Sequence, residues 1–186
     1  DDVQFSRGFF NRVQVMGKGG SSYITIPLRK GRQKQLIKDK LINTIYDWKV
    51  AHRNVITESL KTTSFFDDAL KLFQLTTGQQ SDFLVSYTRE SIKQIANYLG
   101  LSDGTRFESS VSLNPTGQSS HRLLDICKKT DTDIYLTGLG ALNYLDHHLF
   151  ESNNIEVFYM NYSFLAYSRC HNNYTPHLTA LDPISH

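Results

Sequence analysis

His52 follows Trp48 by four residues in Asp47-Trp-Lys-Val-Ala-His52, a spacing that sets both side chains on one face of a helix. From that face an imidazole can work as acid or base near neutral pH, and the indole can border the same cleft. Nearer the start, Asp1-Asp-Val-Gln-Phe-Ser-Arg-Gly-Phe-Phe-Asn-Arg12 mixes charges, amides, aromatics and glycine with no helical or alternating period. Polar loops carried on a scaffold are where binding groups collect, so Asp2, Gln4, Asn11 and Arg12 could grip a polyol or a phosphate. A third group is Ser109-Ser110, Arg122 and the turn Thr137-Gly138-Leu-Gly140. A glycine turn between a strand and a helix leaves backbone amides free to meet an anion. Two serines and an arginine on the same sheet edge would complete a phosphate pocket.

Other motifs carry less. Two glycines do not complete a dinucleotide fingerprint, and neither a P-loop nor a Gly-x-Ser-x-Gly elbow is present. Cys170, His171, His177 and His186 have no metal-ligand spacing, since the first two are adjacent and no acid or fourth ligand is placed. No metal and no cofactor are expected. Arg29–Lys40 carries six basic residues against the single acid Asp39. That run could hold a polyanion, but it lacks the aromatics that stack on single-stranded nucleic acid.

These groups need elements to hold them. Val13–Met16 and Ser22–Leu28 read as strands around Gly17-Lys-Gly-Gly20, a hairpin. Helices are expected over Asp47–Leu60, with Trp48, Ala51, Val55 and Ser59 roughly on one side, and over Ser64–Leu75. A third runs from Tyr87 to Leu99 with Ile92, Ile95, Ala96 and Leu99 inward, and Gly100 stands where a left-handed C-cap belongs. From Arg106 strands and helices alternate. Phe107–Val111 is a candidate strand, and Ser119 or Ser120 caps a helix over His121–Lys129. Asp133–Thr137 is a strand, Ala141–Glu151 a helix with Leu142, Leu145 and Leu149 on one stripe, and Ile155–Tyr159 a strand. Such alternation implies parallel βαβ units with right-handed crossovers. The tail Asn161–His186 has little regular pattern and is expected to wrap the core.

The chain has 186 residues and a formal charge of +2, enough for one domain with a sizeable core and too little charge to argue for nucleic acid. No apolar run approaches the ~20 residues of a bilayer-spanning helix, and two cysteines far apart give no disulfide framework. A reducing cytoplasm is the expected home. The first residue is Asp1, and the opening reads as the end of a strand, so an upstream segment is expected.

Several stretches together resemble the WbqC-like protein family. They are Asp1-Asp-Val-Gln-Phe-Ser-Arg-Gly8 with Asn11-Arg12, Tyr23-Ile-Thr-Ile-Pro27, Trp48 with His52, and Ser109-Ser110 with Leu113. Arg122-Leu-Leu, Tyr135-Leu-Thr-Gly138 running into Tyr144-Leu-Asp146 and Phe150, and Leu178-Thr-Ala-Leu-Asp182 continue the match. It spans nearly the whole chain, and order and spacing carry it more than any one piece. The family's opening strand and His/Gln-Pro turn have no counterpart here. The resemblance implies a bacterial protein of surface-polysaccharide and O-antigen synthesis, a transferase placing glycine or another small acyl group on a sugar.

The expected fold is α/β, a single three-layer domain over residues 1–186 with a mostly parallel sheet, an antiparallel hairpin near the start and helices on both faces. The expected activity modifies an activated, nucleotide-linked sugar with an amino-acid or small acyl group. His52 would be the acid or base with Asp2 its partner, and Asn11, Arg12 and Trp48 would bind substrate. Ser109, Ser110, Arg122, Thr137, Gly138 and Gly140 would cradle its phosphates. The partners are then small molecules, a nucleotide sugar and an acyl or aminoacyl donor, with no membrane insertion. The alternative is a non-catalytic protein binding a nucleotide sugar or a partner enzyme of the same pathway.

Overall fold

The computed structural model describes residues 1–186 apart from 7, 33, 164 and 169–174. Its elements are β1 (Arg12–Gly17), β2 (Gly20–Thr25), a 3-10 turn at Ile37–Asp39, α1 (Trp48–Leu60), α2 (Phe66–Thr77) and α3 (Leu84–Tyr98). There follow α4 (Ser110–Leu113), α5 (Ser119–Lys129), β3 (Ile134–Gly138), a 3-10 turn at Leu139–Asn143, α6 (His147–Glu151), β4 (Glu156–Met160) and α7 (Leu181–Ser185). The class is α/β, as expected, with the antiparallel hairpin near the start and a parallel pair after it. The strands lie in two separate two-stranded sheets. The chain packs as two compact units, Asp1–Phe107 with Ala166–His186, and Glu108–Leu165. No helix of the described residues is long and apolar enough to cross a membrane.

In the first unit β1 and β2 pair from Arg12↔Thr25 to Gly17↔Gly20, so Lys18 and Gly19 make the turn. Gly20 closes it at φ 110°, a conformation a side chain resists. Asp47 caps α1, its Oδ1 accepting from the amides of Lys49 at 3.1 Å and Val50 at 3.2 Å. The buried stripe of α1 is Trp48, His52, Ile56 and Leu60. This corrects the stripe through Ala51 and Val55, which are exposed. A four-residue repeat drifts slowly round a helix of 3.6 residues per turn, so the buried stripe winds obliquely along α1 and puts His52 on the core side. Ile56 and Leu60 meet Val15, Ile24, Ala69, Leu72, Phe73 and Leu181 in one cluster. Helix α3 ends as Gly100 predicts: at φ 69°, its amide donates to Asn97 and that of Leu101 to Ala96, the paired bonds of a Schellman end. Ile92 and Leu99 are exposed there, against expectation. Near the C-terminus, Asp182 is buried at 1 % exposure and accepts a 2.6 Å bond from the Tyr167 hydroxyl.

In the second unit β3 and β4 run parallel, Tyr135 opposite Val157 and Thr137 opposite Tyr159. Their crossover is shorter in helix than the leucine stripe predicts. A 3-10 turn takes Leu139–Asn143 and α6 begins only at His147, after Asp146 caps it by accepting from the Leu149 amide at 3.0 Å. Phe150 is fully buried and stacks on Tyr135 at 5.2 Å, within a cluster of Leu124, Cys127, Leu145 and Ile155. Ile134, Leu136, Phe158 and Met160 point from the same strands to the other face and are about half exposed. Phe107–Val111 forms no strand. Ser109 precedes the one-turn helix α4, which ends at Asn114 with φ 46°. Three serines around one valine give little to pack on a pleated surface. Ser120 does not cap α5. Its buried hydroxyl instead accepts from the Asp146 amide at 3.0 Å and lies 3.4 Å from the Tyr144 carbonyl, which pins the loop before α6.

Replacing Phe150 by Ala should destabilise the protein by about 3–5 kcal/mol in urea unfolding. Ile134→Ala, on the open face of the same strand pair, should stay within about 0.5 kcal/mol of the parent.

Candidate functional site

Three of the expected binding residues and the expected acid or base share one cavity in the first unit. Asn11, Arg12, Trp48 and His52 line a hollow of about 380 Å³ together with Phe9, Phe10, Ile24, Ile26, Ile56, Phe73, Tyr87, Ser91, Ile92 and Ile95. That volume lies in the range of small-molecule sites. The positioning starts at Thr25, the last residue of β2. Arg12 opens β1 directly opposite Thr25. Beyond that pair the hairpin is continued by Asn11, whose carbonyl accepts the Ile26 amide at 2.8 Å and whose side-chain Nδ2 donates to the Ile26 carbonyl at 2.9 Å. His52 reaches Thr25 from α1, its Nε2 lying 3.1 Å from the Thr25 carbonyl. A strand pair and one side-chain bond therefore bring Arg12 and His52 to the same place.

A carbonyl only accepts, so Nε2 of His52 carries the proton, and in the neutral ring Nδ1 holds the lone pair. His52 is 8 % exposed. Burial pushes its pKa below the usual imidazole value, partly offset by the bond to Thr25. The neutral ring is thus the form present at pH 7, as a base requires. The described bond of His52 is to Thr25, and Asp2 is not among the cavity residues. Trp48 packs edge-on against both His52, at 5.2 Å between ring centroids, and Tyr87, at 5.3 Å. Arg12 lies over the Tyr23 ring at 4.4 Å, and its Nε is buried with no hydrogen-bond partner among the described residues.

A larger hollow of about 640 Å³ shares Trp48 and Tyr87 with it and is lined also by Thr44, Asp47, Lys49, Gln80 and Asp82. Much of its charge is already committed. Asp47 caps α1, while Lys49 donates to the Gln79 carbonyl at 2.8 Å and lies 5.2 Å from the Tyr87 ring. The smaller cavity, with a lone pair and an unmet donor, is the better candidate.

Ser109, Ser110, Arg122, Thr137, Gly138 and Gly140 belong to the second unit, and neither cavity includes them. Ser109 and Ser110 sit at the start of α4, not at a strand end, so the sheet edge they were to share with Gly138 is absent. Arg122 donates from Nη1 to the Pro115 carbonyl at 2.8 Å and so steadies the loop ahead of its own helix. Thr137 and Gly138 do end β3. A side chain at Gly138 or Gly140 would meet nothing within 4 Å, and neither has a left-handed backbone, so packing does not demand glycine there. Cys170 and His171 lie outside the described residues.

Sequence reasoning missed Tyr87, Ile92 and the carbonyl of Thr25. Ile92 belongs to an apolar helix stripe whether it lines a core or a hollow, and a backbone carbonyl leaves no trace in residue type. Tyr87 had a signal: a tyrosine four residues before Ser91 on a helix near Trp48, with a hydroxyl that must find a partner if buried; it donates to the Gln79 carbonyl at 3.0 Å.

Between the lowered pKa of His52 and the ordinary value of 6.5, the folded chain holds fewer protons at this ring than the unfolded chain does. Stability therefore falls as pH drops through 6.5 into that window. In NMR titrations the His52 ring, assigned by difference from His52→Gln, should titrate below 6.5. The variant should lose less thermal stability than the parent over the same acid range.

The family model described as the WbqC-like protein family matches residues 1–186. The uncharacterized protein Rv1507c of Mycobacterium tuberculosis is 27% identical over 186 residues, covering 98% of this chain and 79% of that protein. No solved structure matches the chain. Matched from end to end by one family model, the chain belongs to the WbqC-like protein family.

Proposed function

We propose that the protein is a cytoplasmic transferase of bacterial surface-polysaccharide and O-antigen synthesis. It would modify an activated, nucleotide-linked sugar with an amino-acid or small acyl group. The observation that carries this reading is the meeting of Asn11, Arg12, Trp48 and His52 on one cavity, since a base beside an unmet cationic donor is what acyl transfer needs. Neutral His52 takes a proton at Nδ1 from a hydroxyl or amine of the sugar. The freed oxygen or nitrogen attacks the carbonyl carbon of the activated acyl donor and forms the new bond. The bond from that carbon to the leaving group then breaks, and the leaving group departs with its electron pair and the proton held by His52. Arg12 faces the charge that develops on the carbonyl oxygen.

One observation favours the alternative, a binding protein for a nucleotide sugar or a partner enzyme without chemistry. At 8 % exposure His52 is as buried as a structural histidine, and its one described bond ties helix to hairpin.

Turnover separates the two readings. The purified protein, given nucleotide sugars with acyl-thioester or aminoacyl donors, should yield a sugar heavier by the acyl group in mass spectrometry. His52→Gln should lower kcat by about 10²–10⁴-fold, while Gln still donates to Thr25. Binding of the sugar with no turnover on any donor would leave the alternative standing.

A further inference from the structure

The hydrogen-bond donors around the cavity are nearly all spent on the protein itself. Thr76 and Thr77 both donate to the Phe73 carbonyl, at 2.9 and 2.8 Å, Thr88 to Val85 at 3.1 Å and Ser91 to Tyr87 at 2.8 Å. The Tyr87 hydroxyl, Asn11 Nδ2 and His52 Nε2 are likewise bound to backbone carbonyls. The Trp48 indole N–H and the Thr179 hydroxyl have no described bond, and Arg12 is the one cation on the wall. Among the described residues its Nε is buried without an acceptor, and no Asp or Glu lines the cavity to balance its charge. An unmet buried donor costs free energy, more so on a cation, and such a group calls for an explanation. The rest of the wall is hydrocarbon and aromatic, including Phe10, Ile56, Phe73 and Ile95.

We infer that this cavity binds an apolar monocarboxylate, with the carboxylate on the Arg12 guanidinium and the hydrocarbon or aromatic body against the apolar wall. A planar guanidinium has the fork that a carboxylate matches, and that of Arg12 lies over the Tyr23 ring at 4.4 Å. A phosphate or diphosphate carries more charge and needs more donors than this wall supplies. The nucleotide part of a sugar donor therefore lies elsewhere, and this hollow takes the acyl side of the reaction. Only that last identification rests on the transferase reading; binding of the acid does not.

Trp48 is the only tryptophan in the chain and lines the cavity, so its emission reports on occupancy. The full chain is titrated with 3-phenylpropionate, 3-phenylpropionamide and inorganic phosphate. The carboxylate should change Trp48 emission saturably and raise Tm, and the amide and phosphate should bind at least about tenfold more weakly. Arg12→Gln should weaken the carboxylate by a similar factor, and Arg12→Lys should recover part of it. Equal binding of amide and carboxylate, or no response to the carboxylate at all, overturns the proposal. Should Arg12→Gln fail to fold, the amide comparison on the unaltered protein still decides. Carboxylate binding without turnover on any donor removes the transferase reading and leaves this one. Turnover with a Trp48 response to the nucleotide sugar and none to the acid does the reverse.

Discussion

The carbonyl of Thr25 is the fixed point of the first unit. Thr25 ends β2 opposite Arg12, and its carbonyl accepts the 3.1 Å bond from His52. A backbone acceptor on a paired strand cannot swing away, so the imidazole that bonds it is held in one tautomer and one orientation. The same bond docks α1 on the hairpin, and α1 brings Trp48 with it. Trp48 in turn packs on Tyr87 of α3. Two helices and a hairpin are thus indexed to one oxygen, and the cavity is the space their side chains leave around it.

That space is polar at one end only. The hydroxyls of α2 and α3 that border it turn back to their own helices, as threonine and serine in helices commonly do. They give up their donors and behave as part of an apolar wall. Arg12 is left with a buried nitrogen and, among the described residues, no counter-charge in the cavity. The site is therefore selective by subtraction: most groups that could hydrogen-bond a generic polar ligand are occupied.

The second unit solves a different problem. Two parallel strands require a crossover, and here a 3-10 turn and the five-residue helix α6 supply it. So short a connection needs fastening, which Ser120 provides at Asp146 and Phe150 provides in the core. Of the groups that looked like ligands for phosphate, Arg122 has a structural task and the glycines do not. Ser120 and Arg122 both have described duties to the backbone around them, whereas the glycines after β3 have none in packing.

Much was legible in residue order. The Gly17–Gly20 turn, the Gly100 stop and the β3–turn–β4 pattern rest on local backbone rules, and local rules act within a few residues of chain. The placing of Trp48 and His52 on one helical face also followed from spacing alone. Three things did not. Val55 and Ile56 are equally apolar, and only packing against Val15 and Ile24 decided which faced inward. The run around Ser109 looked like a strand until no partner strand lay beside it, because pairing is a property of two segments. The duty of His52 depended on a carbonyl 27 residues away. Residue types and their periods thus set the elements, and contact between elements decided which polar groups are spent and which are left to meet a ligand, since a hydrogen bond or a buried face exists only once both partners are in place.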